Sequence, residues 1–190
     1  LGLYASDQRS WWGPPHSGVI DEFENTGDGW GFLLETAQYT TGIGASALPF
    51  ESARAHKEAL SFFRNGSTII GLLRDRGHGR VTIDANGQAQ HSYAITDEVD
   101  LANTHKALEA QVRMMEAAGA IEIRALAAGA PAWRRGDDTD AYIARIQRIP
   151  LRFGGHRLFS AHQMGSCRMG SDPATSVAGP WGELHDTPGV

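Results

Sequence analysis

Cysteine and lysine are scarce in this chain. The single cysteine, Cys167, excludes an internal disulfide framework. A reducing compartment fits, as does a secreted protein without bridges; the cytoplasm is the expected location. Lys57 and Lys106 are the only lysines, so arginine carries almost all the positive charge. The net charge is −5 at pH 7, with pI ≈ 5.9. Arg74, Arg76 and Arg80, and the pair Arg134-Arg135, are interleaved with acids. That pattern describes a solvated surface and argues against a nucleic-acid partner. No apolar run approaches the ~18–20 residues that cross a bilayer, so no membrane span is expected. The opening Leu1-Gly2-Leu3-Tyr4 lacks a basic-then-apolar signal and is expected to begin within a domain.

Several motifs are missing as well. His156, His162, Cys167 and His185 carry donor atoms, but no Cys-x-x-Cys or His-x-x-x-His pair occurs. Structural zinc usually needs such pairs, so no metal is expected. Ser166 has Met164 and Arg168 two residues away on either side. A nucleophile elbow needs glycine at both places, which rejects a hydrolase. Gly42-Ile43-Gly44 follows the polar Tyr39-Thr40-Thr41 and has Ala47 where a third glycine would stand. It is read as part of a Gly/Ala/Ser-rich connector running to Pro49, not as a cradle for a dinucleotide pyrophosphate.

What is present suits a folded domain. The 190 residues are 41% hydrophobic and 21% charged, and a chain of this size buries roughly 70% of its unfolded surface. Trp11-Trp12-Gly13-Pro14-Pro15 predicts a rigid turn, because each proline fixes φ. Short strands are predicted over 17–23 and 31–36, with Asp28-Gly29 as the turn between them. A helix is predicted over 51–65, facing inward through Ala55, Ala59, Phe62 and Phe63 and stopping at Asn65-Gly66. A strand follows over 67–75. Segments 80–84 and 88–95 flank Ala85-Asn86-Gly87, a hairpin signal.

Thr96 is read as the cap of a long helix with Asp97, Glu98 and Asp100 in its first turn, where acids meet the positive end of the dipole. Leu101, His105, Leu108, Val112 and Met115 form its apolar stripe, and Gly119 ends it. A strand over 121–126, a loop over 129–136 and a helix over 137–149 complete this part. That last helix turns Tyr142, Ile143, Ile146 and Ile149 inward and stops at Pro150. The sum is an α+β fold, an antiparallel sheet backed by helices.

The most specific stretch is Ser160-Ala161-His162-Gln163-Met164-Gly165-Ser166-Cys167-Arg168-Met169-Gly170, followed by Gly182, His185-Asp186 and Pro188-Gly189. It resembles the C-terminal signature of the glucose–methanol–choline (GMC) flavoprotein oxidoreductases. Supporting similarity lies in Gly77-His78-Gly79-Arg80-Val81, Tyr93, Thr96-Asp97 and Ala118-Gly119-Ala120. Trp12-Gly13-Pro14 and Gly31-Phe32-Leu33-Leu34-Glu35 are similar to the long-chain (fatty) alcohol oxidase-like branch. Two places depart from the common pattern: His162-Gln163 stands for His-Pro, and Ala178-Gly179-Pro180 for a Val/Ala-Asp-Pro step.

The resemblance implies a six-stranded antiparallel sheet with helices. It implies a substrate-binding domain over 1–160, and over 161–190 the histidine motif with the return toward an FAD domain. It implies an FAD-dependent oxidoreductase of alcohol CH–OH groups in which His162 takes the hydroxyl proton and Gly165, Cys167, Arg168 and Gly170 shape its loop. Imidazole titrates near neutrality, as such a base requires. Cysteines outside disulfides are usually buried, so Cys167 is expected inside. Arg168 is expected to order the loop through its guanidinium. The implied partners are a small alcohol and the FAD-binding domain of the same parent protein. The FAD site and a second active-site His or Asn are expected outside this chain. The alternative is a folded, non-catalytic module that binds an apolar ligand or a partner flavin domain.

Overall fold

The computed structural model describes residues 1–14 and 16–190. The predicted Trp11–Pro15 turn therefore reaches outside the described residues at Pro15. The chain forms two compact units, one of residues 1–79 and 93–158, the other of 80–92 and 159–190. In chain order the elements are β1 (Gly2–Leu3), β2 (Val19–Ile20), β3 (Phe32–Ala37), α1 (Thr41–Ala47) and α2 (Ala53–Ser61). A 3-10 turn (Phe63–Asn65), β4 (Gly66–Leu73), β5 (Arg80–Ile83), β6 (Ala89–Ser92) and α3 (Glu98–Ala117) follow. Then come β7 (Glu122–Arg124), β8 (Ala132–Arg134) and α4 (Thr139–Gln147).

The first unit is built on a six-stranded sheet of order β2-β3-β4-β1-β7-β8, with every neighbouring pair antiparallel. This is the α+β architecture expected. Asp28 and Gly29, both at positive φ, make the turn between β2 and β3. Helix α3 lies against β3, β4 and β7, and α4 packs on α3. Their main core joins Tyr4, Val112, Met115, Ala120, Ile123, Trp133, Tyr142, Ile143 and Ile146. A second cluster gathers Leu1, Leu3, Tyr39 and Leu48, with Ala59, Leu60 and Phe63 against it.

Four local expectations are corrected. The Gly/Ala/Ser connector holds a helix, α1, with Gly44 buried in it. Predicted loop 129–136 contains β8, whose Trp133 pairs with Ile123. Phe62 is exposed, because the helix ends at Ser61 and the 3-10 turn rotates Phe63 inward instead.

The fourth concerns α3. Its cap is Asp97, which accepts from the Val99 and Asp100 amides, and not Thr96. The buried face runs through Asp100, Asn103, Thr104, Ala107, Val112 and Met115, while Leu101, His105 and Leu108 are half-buried. Close approach explains the shift: a Cβ on Gly71 of β4 would lie 3.0 Å from the Ala107 Cβ. A side chain larger than alanine does not fit at position 107. Asp100, 2% exposed, accepts from the amides of Arg76 (2.9 Å) and Gly77 (2.8 Å), which satisfies a buried carboxylate.

Tyr142 ties α4 to β7. Its hydroxyl donates to the Ile123 carbonyl (3.2 Å) and accepts from the Ala125 amide (3.0 Å). Burial is the main cause that pushes its phenol up from 10.0 to about 12. A neutral form favoured in the folded state stabilises fully below pH 10.0, and that contribution is lost as pH rises through about 12. Tyr142→Phe is expected to cost about 1 kcal/mol near neutrality. Denaturant midpoints measured across alkaline pH should show the wild-type advantage shrinking over that window. A pH-independent difference would refute the linkage.

The second unit starts with the β5–β6 hairpin, which forms its own two-stranded sheet. Asp84 Oδ1 accepts from the amides of Gln88 and Asn86, both at 2.9 Å, and Gly87 takes φ +76°. Those amide contacts hold the Asp84 carboxyl below its usual range. The Asn-Gly turn is thus formed as the sequence indicates, outside the main sheet.

Candidate functional site

Residues 159–190 contain no helix and no strand of the sheets. Their order comes from main-chain bonds around Ala178. This buried residue bridges Met169 on one side and Leu184 on the other. The Gly170 amide donates to the Ala178 carbonyl (2.8 Å), and the Val177 amide donates to the Arg168 carbonyl (3.0 Å). Segment 168–170 is therefore firmly pinned. The chain from Ala161 to Met169 is exposed throughout. Gly165 turns it at φ +88° with open space where a side chain would be. The Gln163 side chain donates from Nε2 to the Ser160 carbonyl (2.9 Å).

His162 stands exposed on this bend, and its ring has no hydrogen-bond partner among the described residues. Cys167 is exposed, not buried. The reason is local: it lies in the turn after Gly165, outside the pinned segment. Arg168 orders the loop through its carbonyl. Its guanidinium has no partner among the described residues, contrary to the expectation for its fork. Gly170 lies close to Ser176: a Cβ there would lie 3.1 Å from the Ser176 Cβ and 3.2 Å from its Oγ, a tight contact.

The sequence reading missed Ser176 and gave His185 no role beyond that of a conceivable metal donor. Ser176 Oγ donates to the Asp172 carbonyl (2.6 Å), lies 3.2 Å from the Gly170 carbonyl, and sits 2.9 Å from His185 Nε2. A signal existed in Asp172-Pro173, a turn-initiating pair that folds Ser176 back on Gly170. His156 is likewise engaged, its Nε2 lying 2.8 Å from the Ile146 carbonyl. Among the described residues no group of three or more His, Cys, Asp or Glu is placed to hold a metal ion. Among the described residues no helix is long and apolar enough to cross a membrane. An open cavity of ≈ 410 Å³ lies beside this segment, lined by Pro180, Trp181, Leu184, His185 and Pro188 among others.

The Gly42-Ile43-Gly44 segment does not fit a dinucleotide cradle. Gly44, the second glycine of Gly42-Ile43-Gly44, is filled against Tyr39: a Cβ there would lie 2.5 Å from the ring. Its glycine serves packing, and α1 has only 7 residues.

In chain order, then, a six-stranded antiparallel sheet backed by helices precedes a glycine-bent histidine segment. The family profile described as GMC oxidoreductase matches residues 75–190. The chain belongs to the GMC oxidoreductase family. It is 32% identical over 158 residues to the long-chain-alcohol oxidase FAO4A of Arabidopsis thaliana, covering 81% of this chain and 21% of that protein. It is 27% identical over 192 residues to an uncharacterized GMC-type oxidoreductase of Mycobacterium tuberculosis, covering 100% of this chain and 28% of that protein. The long-chain-alcohol oxidase FAO1 of Arabidopsis thaliana is 27% identical over 146 residues, 73% of this chain and 18% of that protein. The chain thus spans less than a third of these relatives. No solved structure matches.

Proposed function

We propose that this chain is the substrate-binding and proton-accepting part of an FAD-dependent enzyme that oxidises the CH–OH group of primary alcohols, long aliphatic ones included. The observation that carries the reading is His162: an accessible imidazole, without a hydrogen-bond partner among the described residues, on a bend anchored at 168–170 inside the family-matched region. FAD, held by the flavin-binding domain of the same parent protein, supplies the two-electron acceptor. His162 accepts the hydroxyl proton at a ring nitrogen, a task that needs a base titrating near working pH. Gly165 gives the bend its left-handed turn, and Gly170 lets Ser176 approach the anchor. Cys167 and Arg168 lie on the exposed face of the loop, where they shape its rim.

The test uses the full-length protein carrying its flavin. Mixing it with a long-chain primary alcohol without oxygen is expected to bleach the oxidised flavin band, and the chain alone is expected to purify colourless. A flavin band untouched by alcohols of every chain length would overturn the assignment.

A further inference from the structure

The bend that carries His162 makes few bonds of its own, so its position is set by its anchors. The C-terminal anchor is the pinned stretch 168–170. Behind that stretch stands a second layer: Ser176 against the Gly170 carbonyl, and His185 against Ser176. The backbone of His185 is fixed in turn by its amide, which donates to the Val177 carbonyl (3.1 Å).

A serine hydroxyl has one proton and two acceptor lone pairs. At 2.6 Å the Asp172 carbonyl claims that proton, with the Gly170 carbonyl at 3.2 Å sharing it. Oγ is then an acceptor toward the ring, and His185 Nε2 must carry the hydrogen. The pair works in one polarity only. If the ring presented a bare Nε2, the hydroxyl would have to turn to it and release both carbonyls.

We propose that His185 and Ser176 are positioning residues for His162, acting as a donor–acceptor clasp on the anchor of its loop. This inference rests on the proton-accepting role read for His162. Neither residue touches substrate in this scheme. They hold the imidazole within the narrow range of positions from which proton transfer is efficient, where a displacement near 1 Å can cost ~100-fold in rate.

The experiment is steady-state kinetics with a primary alcohol on the flavin-loaded full-length protein. Ser176→Ala and His185→Leu are each expected to lower kcat ~10- to 100-fold, with KM and flavin content unchanged. His185→Gln keeps an N–H donor and is expected to restore most of the loss. The double variant Ser176→Ala/His185→Leu should fall no further than either single one, because both break the same clasp. Wild-type kcat in Ser176→Ala, which removes one oxygen atom and leaves folding intact, would overturn the proposal. So would equal losses in His185→Leu and His185→Gln, since ring shape and not donation would then matter. His162→Ala in the same assay separates the two levels. If it too turns over like wild type, the base assignment fails; if it is impaired and the clasp variants are not, only the clasp fails.

Discussion

His162→Ala in the flavin-loaded full-length protein is expected to lower kcat by ~10²–10⁴-fold, the range that a positioned general base contributes. The fall should appear equally in kcat and kcat/KM, because the proton moves only in the transition state. The geometry makes this a clean substitution. The side chain is exposed and has no partner among the described residues, so its removal leaves no buried group unsatisfied and opens no cavity. Melting temperature and flavin content should stay at wild-type values. His162→Gln sharpens the test. The amide can hold a hydroxyl by hydrogen bonds but cannot take its proton, so a true base is lost in both variants. Near-normal turnover in the glutamine variant would reduce His162 to an orienting group and remove the proton-accepting role.

The parts of this fold that could be read from sequence are those fixed by local chemistry. Asn86-Gly87 marks a two-stranded turn because glycine takes φ +76° there at no steric cost. Helix α4 follows from its inward residues Tyr142, Ile143 and Ile146 at helical spacing, all buried. What escaped was decided by tertiary contact. Helix α1 carries two glycines in seven residues and has no apolar period; Tyr39 packing against Gly44 makes it possible. Strand β8 is three residues long with only Trp133 facing inward, too short for alternation to register. The polar buried face of α3 exists because the backbone at Arg76 and Gly77 needs the Asp100 carboxylate, a demand that arises 23 and 24 positions away.

The site divides along the same line. A continuous motif such as His162 to Gly170 is visible in one dimension, and so is the glycine that bends it. Solvent exposure is not: a lone cysteine is buried by habit, yet Cys167 sits in the outward turn. The clasp is also invisible, since Ser176 and His185 stand nine positions apart in irregular chain and meet only because Ala178 gathers the surrounding strands of backbone.

The largest loss of stability is expected at Trp133. It is 1% exposed and belongs to the core shared by α3, α4 and β7, with Tyr4 just after β1. Its indole N–H donates to the Asp137 carbonyl (3.2 Å), and the Arg135 guanidinium lies 5.9 Å from its ring. The tight turn after β8 is built on the same residues: the Asp137 amide donates to the Arg134 carbonyl (2.8 Å), and Gly136 adopts φ +101°. The indole therefore fills the core and also fixes the approach to α4. Truncation to alanine forfeits the transfer energy of the ring and leaves a cavity, ~3–5 kcal/mol together. For a domain whose whole stability is about 5–15 kcal/mol, that is a large fraction. At roughly 2–4 °C per kcal/mol, the melting temperature should drop by about 6–20 °C. Trp133→Phe keeps most of the volume and gives up the N–H, so it should fall between wild type and alanine. A melting temperature for Trp133→Ala indistinguishable from wild type would mean that β8 is not part of the core, and with it the outer edge of the six-stranded sheet would have to be redrawn.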